Sequence, residues 1–322
     1  MPYFLRRAAH SIVVLVGVSI LSFVFIELAP GEFFSDMRLN PQISPHTVAA
    51  LRAHYGLDQS LPVRYVRWLH SAAIGDWGYS FAYNMPVSQL IWVRARNTLM
   101  LTVASAVLAW VIAIPLGIFA AERRHRWGDR LLSATSSVLL AVPDLLFALG
   151  LLVFAIRTRA FAVGGMAGLD YSSLGPAAKV HDIFSHFTLP VLALTVATLP
   201  IFFRHVRAGM LEALALPSIE AARAHGIPRR RILFRYALPA AANPLISLLG
   251  LSVATLLSAS LVVEVIMGWP GLGPMLLEAI MARDLYVVIG AVMLSTVFLV
   301  AGNFLADLLL YVSDPRIRAG AP

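Results

Sequence analysis

The chain has 322 residues, 59% hydrophobic and 13% charged, with a mean hydropathy of +0.79. A soluble domain averages about 45–50% apolar and about 25% charged residues, so disorder, collagen and ordinary soluble enzymes are excluded and an integral membrane protein remains. The net charge of +8 would suit nucleic acid, but the arginines sit in short clusters between apolar runs, where the positive-inside rule puts them. Membrane lipid, not nucleic acid, is the expected surrounding.

A helix needs about 20 mostly apolar residues to cross a bilayer. Six segments meet or approach that length: 8–28, 98–121, 131–156, 187–203, 240–267 and 287–312. The first follows Arg6-Arg7 and lacks a small-x-small cleavage site, so it reads as an uncleaved anchor. Residues 30–97 form a helical insertion outside the membrane. Ser44-Pro45 starts one helix there, ended by Gly56. Pro62 opens a second, with Val63, Val66, Leu69 and Ala73 on an apolar face and Arg64, Arg67 and His70 opposite, as for a helix lying on the membrane surface. The expected organisation is an N-terminal span (1–29), the insertion (30–97), a five-helix core (98–312) and a tail (313–322). Fifteen of the 25 basic residues fall on one side, taken as cytoplasmic, with both termini.

Ionisable residues inside spans are costly and therefore functional candidates. Asp144 follows Pro143 in the third span, where it either caps the proline break or faces a translocation path. In the fourth, the shortest span, Pro190 and Pro200 leave the ends open. The fifth carries Ser252, Thr255 and Ala259 as a small-residue stripe with Ser258 on its shoulder. That stripe is either a packing surface or the wall of a polar path. Glu264, near the outer end, is expected to reach the interface, as is Glu27 in the first span. Asp307 is expected to pair with Asn303 or an arginine, and Gly268 to Gly273 to make a tight turn between the last two spans.

The connection 204–239 is too long for a turn. Pro217-Ser218 can start a helix, Glu220 suits its N-terminal dipole, Gly226 can end it in a left-handed conformation, and Pro228 bars its continuation. Two short helices joined by a bend result. Motifs for catalysis are missing. The chain has no cysteine; its only lysine, Lys179, lies outside any phosphate-cradling glycine loop; no histidine is followed by Glu, and no Gly-x-Ser-x-Gly occurs. An intramembrane hydrolase is therefore disfavoured. An ATP-independent transporter would more often show paired halves.

Glu220-Ala221-Ala222, Gly226 and Leu238-Pro239 resemble the EAA signature of bacterial ABC importer membrane subunits. The resemblance narrows to permeases of the dipeptide/oligopeptide/nickel class through three further stretches. These are Ala29-Pro30-Gly31-Glu32; the run from Tyr55-Gly56-Leu57-Asp58 through Gly75-Asp76-Trp77-Gly78 to Asn97-Thr98; and Val263-Glu264, Gly268-Trp269-Pro270-Gly271-Leu272-Gly273, Arg283-Asp284 and Asp314-Pro315-Arg316. Glu32 stands where that family usually has Asp. The resemblance implies an all-α, polytopic bundle of about six transmembrane helices with the type I importer permease fold, in the inner membrane. It implies a second homologous permease subunit, two cytoplasmic ATPase subunits that hold the ATP and Mg, and an extracytoplasmic solute-binding protein, with no cofactor in this chain. Glu220, Ala221, Ala222, Arg223, Gly226 and Ile227 would couple to the ATPase. Asp144, Ser252, Thr255, Ser258 and Glu264 are path candidates, and Trp269, Gly271 and Gly273 are candidates for binding-protein contact. Peptides lead as the cargo, ahead of nickel chelates and oligosaccharides.

Overall fold

The structure, a computed structural model, describes residues 2–28, 44, 46, 50, 53 and 58–313. The helix expected after Ser44, its stop at Gly56, the side chain of Glu27 and the tail beyond Ser313 lie outside these residues. The helices are α1 (Pro2–Leu28), α2 (Leu61–Ala73), α3 (Val87–Glu122), α4 (Trp127–Ala141), α5 (Asp144–Thr158), α6 (Pro176–Leu214), α7 (Pro217–Ala224), α8 (Arg229–Ile232), α9 (Ala242–Met267), α10 (Leu272–Met281) and α11 (Leu285–Ser313). A π turn at Leu233–Ala237 and a short helix at Leu238–Ala240 continue α8. The described residues also contain an antiparallel strand pair, β1 (Tyr79–Ser80) and β2 (Met85–Pro86). Within α1 the stretch Arg7–Ile26, together with α3, α6, α9 and α11, gives five helices able to cross a membrane; the bent pair α4–α5 makes up to six.

The third predicted span is thus two helices, meeting at 97°. Pro143 is the reason: the residue before a proline is pushed out of the helical region, and Val142 is extended at φ −90°, ψ 125°. The fourth span is corrected in the other direction. Neither Pro190 nor Pro200 ends it, because α6 runs unbroken through both. Prolines survive in membrane helices when neighbours bind the freed backbone. Beside the two prolines, Ser136 Oγ lies 3.3 Å from the Pro200 carbonyl and Ser105 Oγ lies 3.4 Å from that of Val191, contacts that tie α6 to α4 and α3. The second span likewise begins earlier than expected, with α3 starting at Val87.

The chain divides into two compact units, residues 1–97 with 270–300 and residues 98–269 with 301–322. In the first, Phe23, Trp68 and Ile289 are buried together, and Phe23 meets Tyr65 and Trp68 at ring distances of 5.3 and 5.2 Å. The inward contacts of α2 come from residues outside the expected apolar face, which stays exposed as a membrane-surface helix requires. Val63, Val66 and Leu69 are exposed, and Tyr65, Trp68 and Ala72 pack inward.

In the second unit α6 is the most enclosed of the five spanning candidates, with 61% of its apolar window buried. Glycines set the closest approaches. A Cβ at Gly117 would lie 2.6 Å from Val206, one at Gly250 would lie 2.8 Å from Asn303, and one at Gly302 would lie 2.4 Å from Val253. Backbones this close gain dispersion contact in lipid, where no hydrophobic effect draws helices together.

Candidate functional site

The stretch from Ala215 to Ala241 builds one element. α7 starts at Pro217, whose missing N–H costs nothing at a first helical position. It runs for eight residues and stops where Gly226 takes φ 70°. The N–H of Ile227 reaches back 3.2 Å to the Ala222 carbonyl, and that of Gly226 reaches 3.0 Å to Arg223. Such backward bonds satisfy carbonyls that the helix end would leave bare. Pro228 then caps α8. Both punctuation marks read from the sequence are therefore present.

α7 has two unlike sides. Ile219 is 2% exposed and Ala222 is 6% exposed. Both join a core made of Ile118 and Ala121 (α3), Val206, Met210 and Ala213 (α6), Ile232 and Leu233, and Leu245 (α9). Burying an isoleucine is worth about 1.5–3 kcal/mol, so the helix is held to its neighbours mainly through this one side chain. Glu220, Ala221, Arg223, Ala224 and Gly226 are exposed, and Ile227 is half-buried. Of the six expected coupling residues, Ala222 points into the fold and anchors it.

Two ion pairs brace the same end of the unit, and sequence reasoning missed both. Asp129, at the start of α4, is 3% exposed. It accepts from Arg207 on α6 in a two-pronged contact of 2.5 and 2.9 Å, and from the His125 N–H at 2.9 Å. A forked guanidinium–carboxylate contact fixes orientation as well as distance. Arg229 at the start of α8 pairs with Glu122 at the end of α3. The available signal was a lone carboxylate in each case, Asp129 and Glu122, inside an arginine-rich loop.

The path candidates scatter. Asp144 is exposed in the first turn of α5, where the helix dipole favours a carboxylate. Ser252 is buried and donates to the Leu249 carbonyl at 2.7 Å, whereas Thr255 and Ser258 are exposed. The expected stripe on α9 therefore splits, with Ser252 and Ala259 in packing and the other two hydroxyl residues at the surface. Close packing falls instead at Gly250 and Gly302. Glu264 is fully buried and does not reach an interface; Asp307 is 7% exposed.

The stretch 268–273 opens with the expected turn. Gly268 ends α9 at φ 67°, with the Trp269 N–H bonded to the Glu264 carbonyl at 2.9 Å. Gly271 then caps α10, so the turn is complete by 271 and leads into a ten-residue helix before the last span. Trp269 is 0% exposed and packs on Phe187 at 5.5 Å, and Gly271 and Gly273 are buried too. A residue without exposed surface cannot dock a protein, so these three are structural.

In the first unit, fully buried Asp284 accepts from the Ser80 hydroxyl at 2.7 Å and the Ala82 N–H at 2.9 Å. Tyr83 donates to Glu278. Burial and that carboxylate push the Tyr83 hydroxyl above its ordinary pKa. The β1–β2 hairpin is thereby tied to the α10–α11 connection.

Residues 113–319 match the family described as binding-protein-dependent transport system inner membrane component, and residues 1–102 match the N-terminal part of such components. The chain is 36% identical to the oligopeptide transport system permease protein AppB of Bacillus subtilis (strain 168), over 98% of this chain and 99% of that one. It is 30% identical to the dipeptide transport system permease protein DppB of Escherichia coli (strain K12), with 99% of both covered. It is 31% identical to the nickel import system permease protein NikB of Staphylococcus aureus (strain USA300), over 99% of this chain and 93% of that one. Among solved structures, a chain of the inward-facing MetNI methionine ABC transporter superposes with a TM-score of 0.57 at 20% identity, covering 70% of this chain and 97% of that one. The last likeness concerns fold alone.

Proposed function

Because this chain belongs to the family of binding-protein-dependent transport system inner membrane components, we propose that it forms half of the translocation path of an ATP-driven importer whose motor is seated on α7. It is a multi-pass permease subunit, not an enzyme. A second, similar permease would supply the other half of the path, two ATPase subunits would hold ATP and Mg, and a solute-binding protein would deliver the cargo. Peptides or similar small solutes are the favoured cargo, since the oligopeptide and dipeptide permeases align with this chain over nearly its full length; nickel chelates come second on the likeness to NikB. Both termini and α7 would face the cytoplasm, by the distribution of arginines.

The observation that carries the coupling role is the two-sidedness of α7. A push on its exposed residues is delivered through Ile219 and Ala222 to α3, α6, α8 and α9 together. Packed interiors shift between discrete arrangements and do not yield gradually, so closure of an ATPase pair under α7 would move these helices as a group. The exposed small residues Ala221 and Ala224 let a partner groove approach closely, and Glu220 and Arg223 give that groove charges to pair with.

The test is reconstitution of the assembled transporter with Glu220→Lys. Glu220 is exposed, so the variant should insert and fold normally, while ATPase stimulation by loaded binding protein should fall at least tenfold. Transport at the unaltered rate would overturn the assignment of α7.

A further inference from the structure

A cavity of about 580 Å³ opens beside α7; Arg223 and Ile227 are the coupling residues in its lining, and the rest of its wall lies outside the coupling surface. Its charged lining is Arg124 from the α3–α4 loop, Arg223 from α7, and Arg229 paired with Glu122. Its apolar wall includes Leu214, Ile227 and Ile232. We propose that this cavity binds a phosphate-bearing anion, supplied by the headgroup of an anionic phospholipid.

Three arginines face one glutamate, so the cavity keeps a positive balance after the internal pair is counted. The guanidinium fork matches phosphate oxygens in two-pronged geometry. The apolar wall is unsuited to a bare hydrated ion but suits the glycerol and first methylenes of a lipid. The volume lies within the range of small-molecule sites, about 300–1,000 Å³.

Depth in the bilayer gives the source. Trp127, three residues beyond Arg124, is 78% exposed, and Phe234 and Tyr236, just past α8, are 58% and 39% exposed. Exposed aromatics beside arginines mark the headgroup level of a membrane protein, and basic pockets between helices at that level take anionic headgroups. The cavity walls come from α3, α6, α7 and α8. A bound lipid therefore braces α7 against the bundle; that consequence rests on the coupling role, whereas the binding itself does not.

The experiment reads binding directly. The full chain in its complex is stripped of lipid in detergent and titrated with short-chain phosphatidylglycerol, phosphatidylcholine or inorganic phosphate, with occupancy counted by native mass spectrometry. Near a membrane surface one arginine is worth about a fivefold change in affinity for anionic lipid. Arg124→Gln and Arg229→Gln should each weaken phosphatidylglycerol binding about fivefold, and Arg230→Gln, an exposed arginine outside the cavity, should leave it unchanged. Phosphatidylcholine should bind at least tenfold more weakly. Equal loss in all three variants, or equal binding of the two lipids, would overturn the site. Inorganic phosphate binding as tightly as phosphatidylglycerol would overturn the lipid source. No ATPase activity enters this readout, so its failure is distinct from failure of the coupling role.

Discussion

Gly226 ends α7 at φ 70° and Gly268 ends α9 at φ 67°, and both stand in glycine- and proline-marked stretches that read as places for a partner to bind. The environments differ. A Cβ at Gly226 would meet nothing within 4 Å, whereas one at Gly268 would lie 3.2 Å from the Gly165 nitrogen. Beside Gly226 stand exposed Glu220, Ala221 and Arg223; beside Gly268 stands Trp269 with no exposed surface. The same local chemistry that stops a helix thus serves a protruding ledge in one place and an internal corner in the other. Motif density marks where the backbone is constrained; burial decides whether a partner can see it.

The comparison can be broken most forcefully at Trp269. Trp269→Ala removes a fully enclosed indole and should destabilise the protein by about 3–5 kcal/mol, read as a large drop in thermal midpoint in detergent. A midpoint equal to the unaltered chain's would mean the indole packs against nothing. Ile219→Ala should cost somewhat less, about 2–5 kcal/mol, and it should also uncouple ATP hydrolysis from transport because α7 loses its main anchor. Retained coupling in Ile219→Ala would dissociate the ledge from the core beneath it.

Much of this contrast was legible in the sequence on one side only. The start of α7 at Pro217 and its stop at Gly226 follow from backbone rules spanning a few residues, so they could be read directly. The break at Pro143 followed from the same kind of rule, although its angle did not. α6 was misread because the helices packed around it, which include Ser105 and Ser136 beside its prolines, are distant in sequence. The inward face of α2 depends on Phe23 and Ile289, which are distant in sequence. Asp129 and Arg207 are 78 residues apart. Nothing local announces such pairings.

The two glycines give a finer comparison. Gly226→Ala should cost about 1–2 kcal/mol for the left-handed backbone alone. Gly268→Ala should cost more, since the new methyl also presses on Gly165. Equal losses in unfolding experiments would mean that the tight packing at Gly268 relaxes without penalty. Smallest of all on stability is Glu220→Lys, within about 0.5 kcal/mol as expected for an exposed change, despite its large expected effect on coupling.

The central claim is that the outer side of α7 is covered by an ATPase subunit on the cytoplasmic side. The chain contains no cysteine, so Ala221→Cys provides a single thiol on that surface. Labelling with a membrane-impermeant maleimide should proceed in inside-out vesicles, fail in right-side-out vesicles, and be suppressed when the ATPase subunits are bound. Labelling from the right-side-out face, or labelling unaffected by the ATPase subunits, would contradict the account.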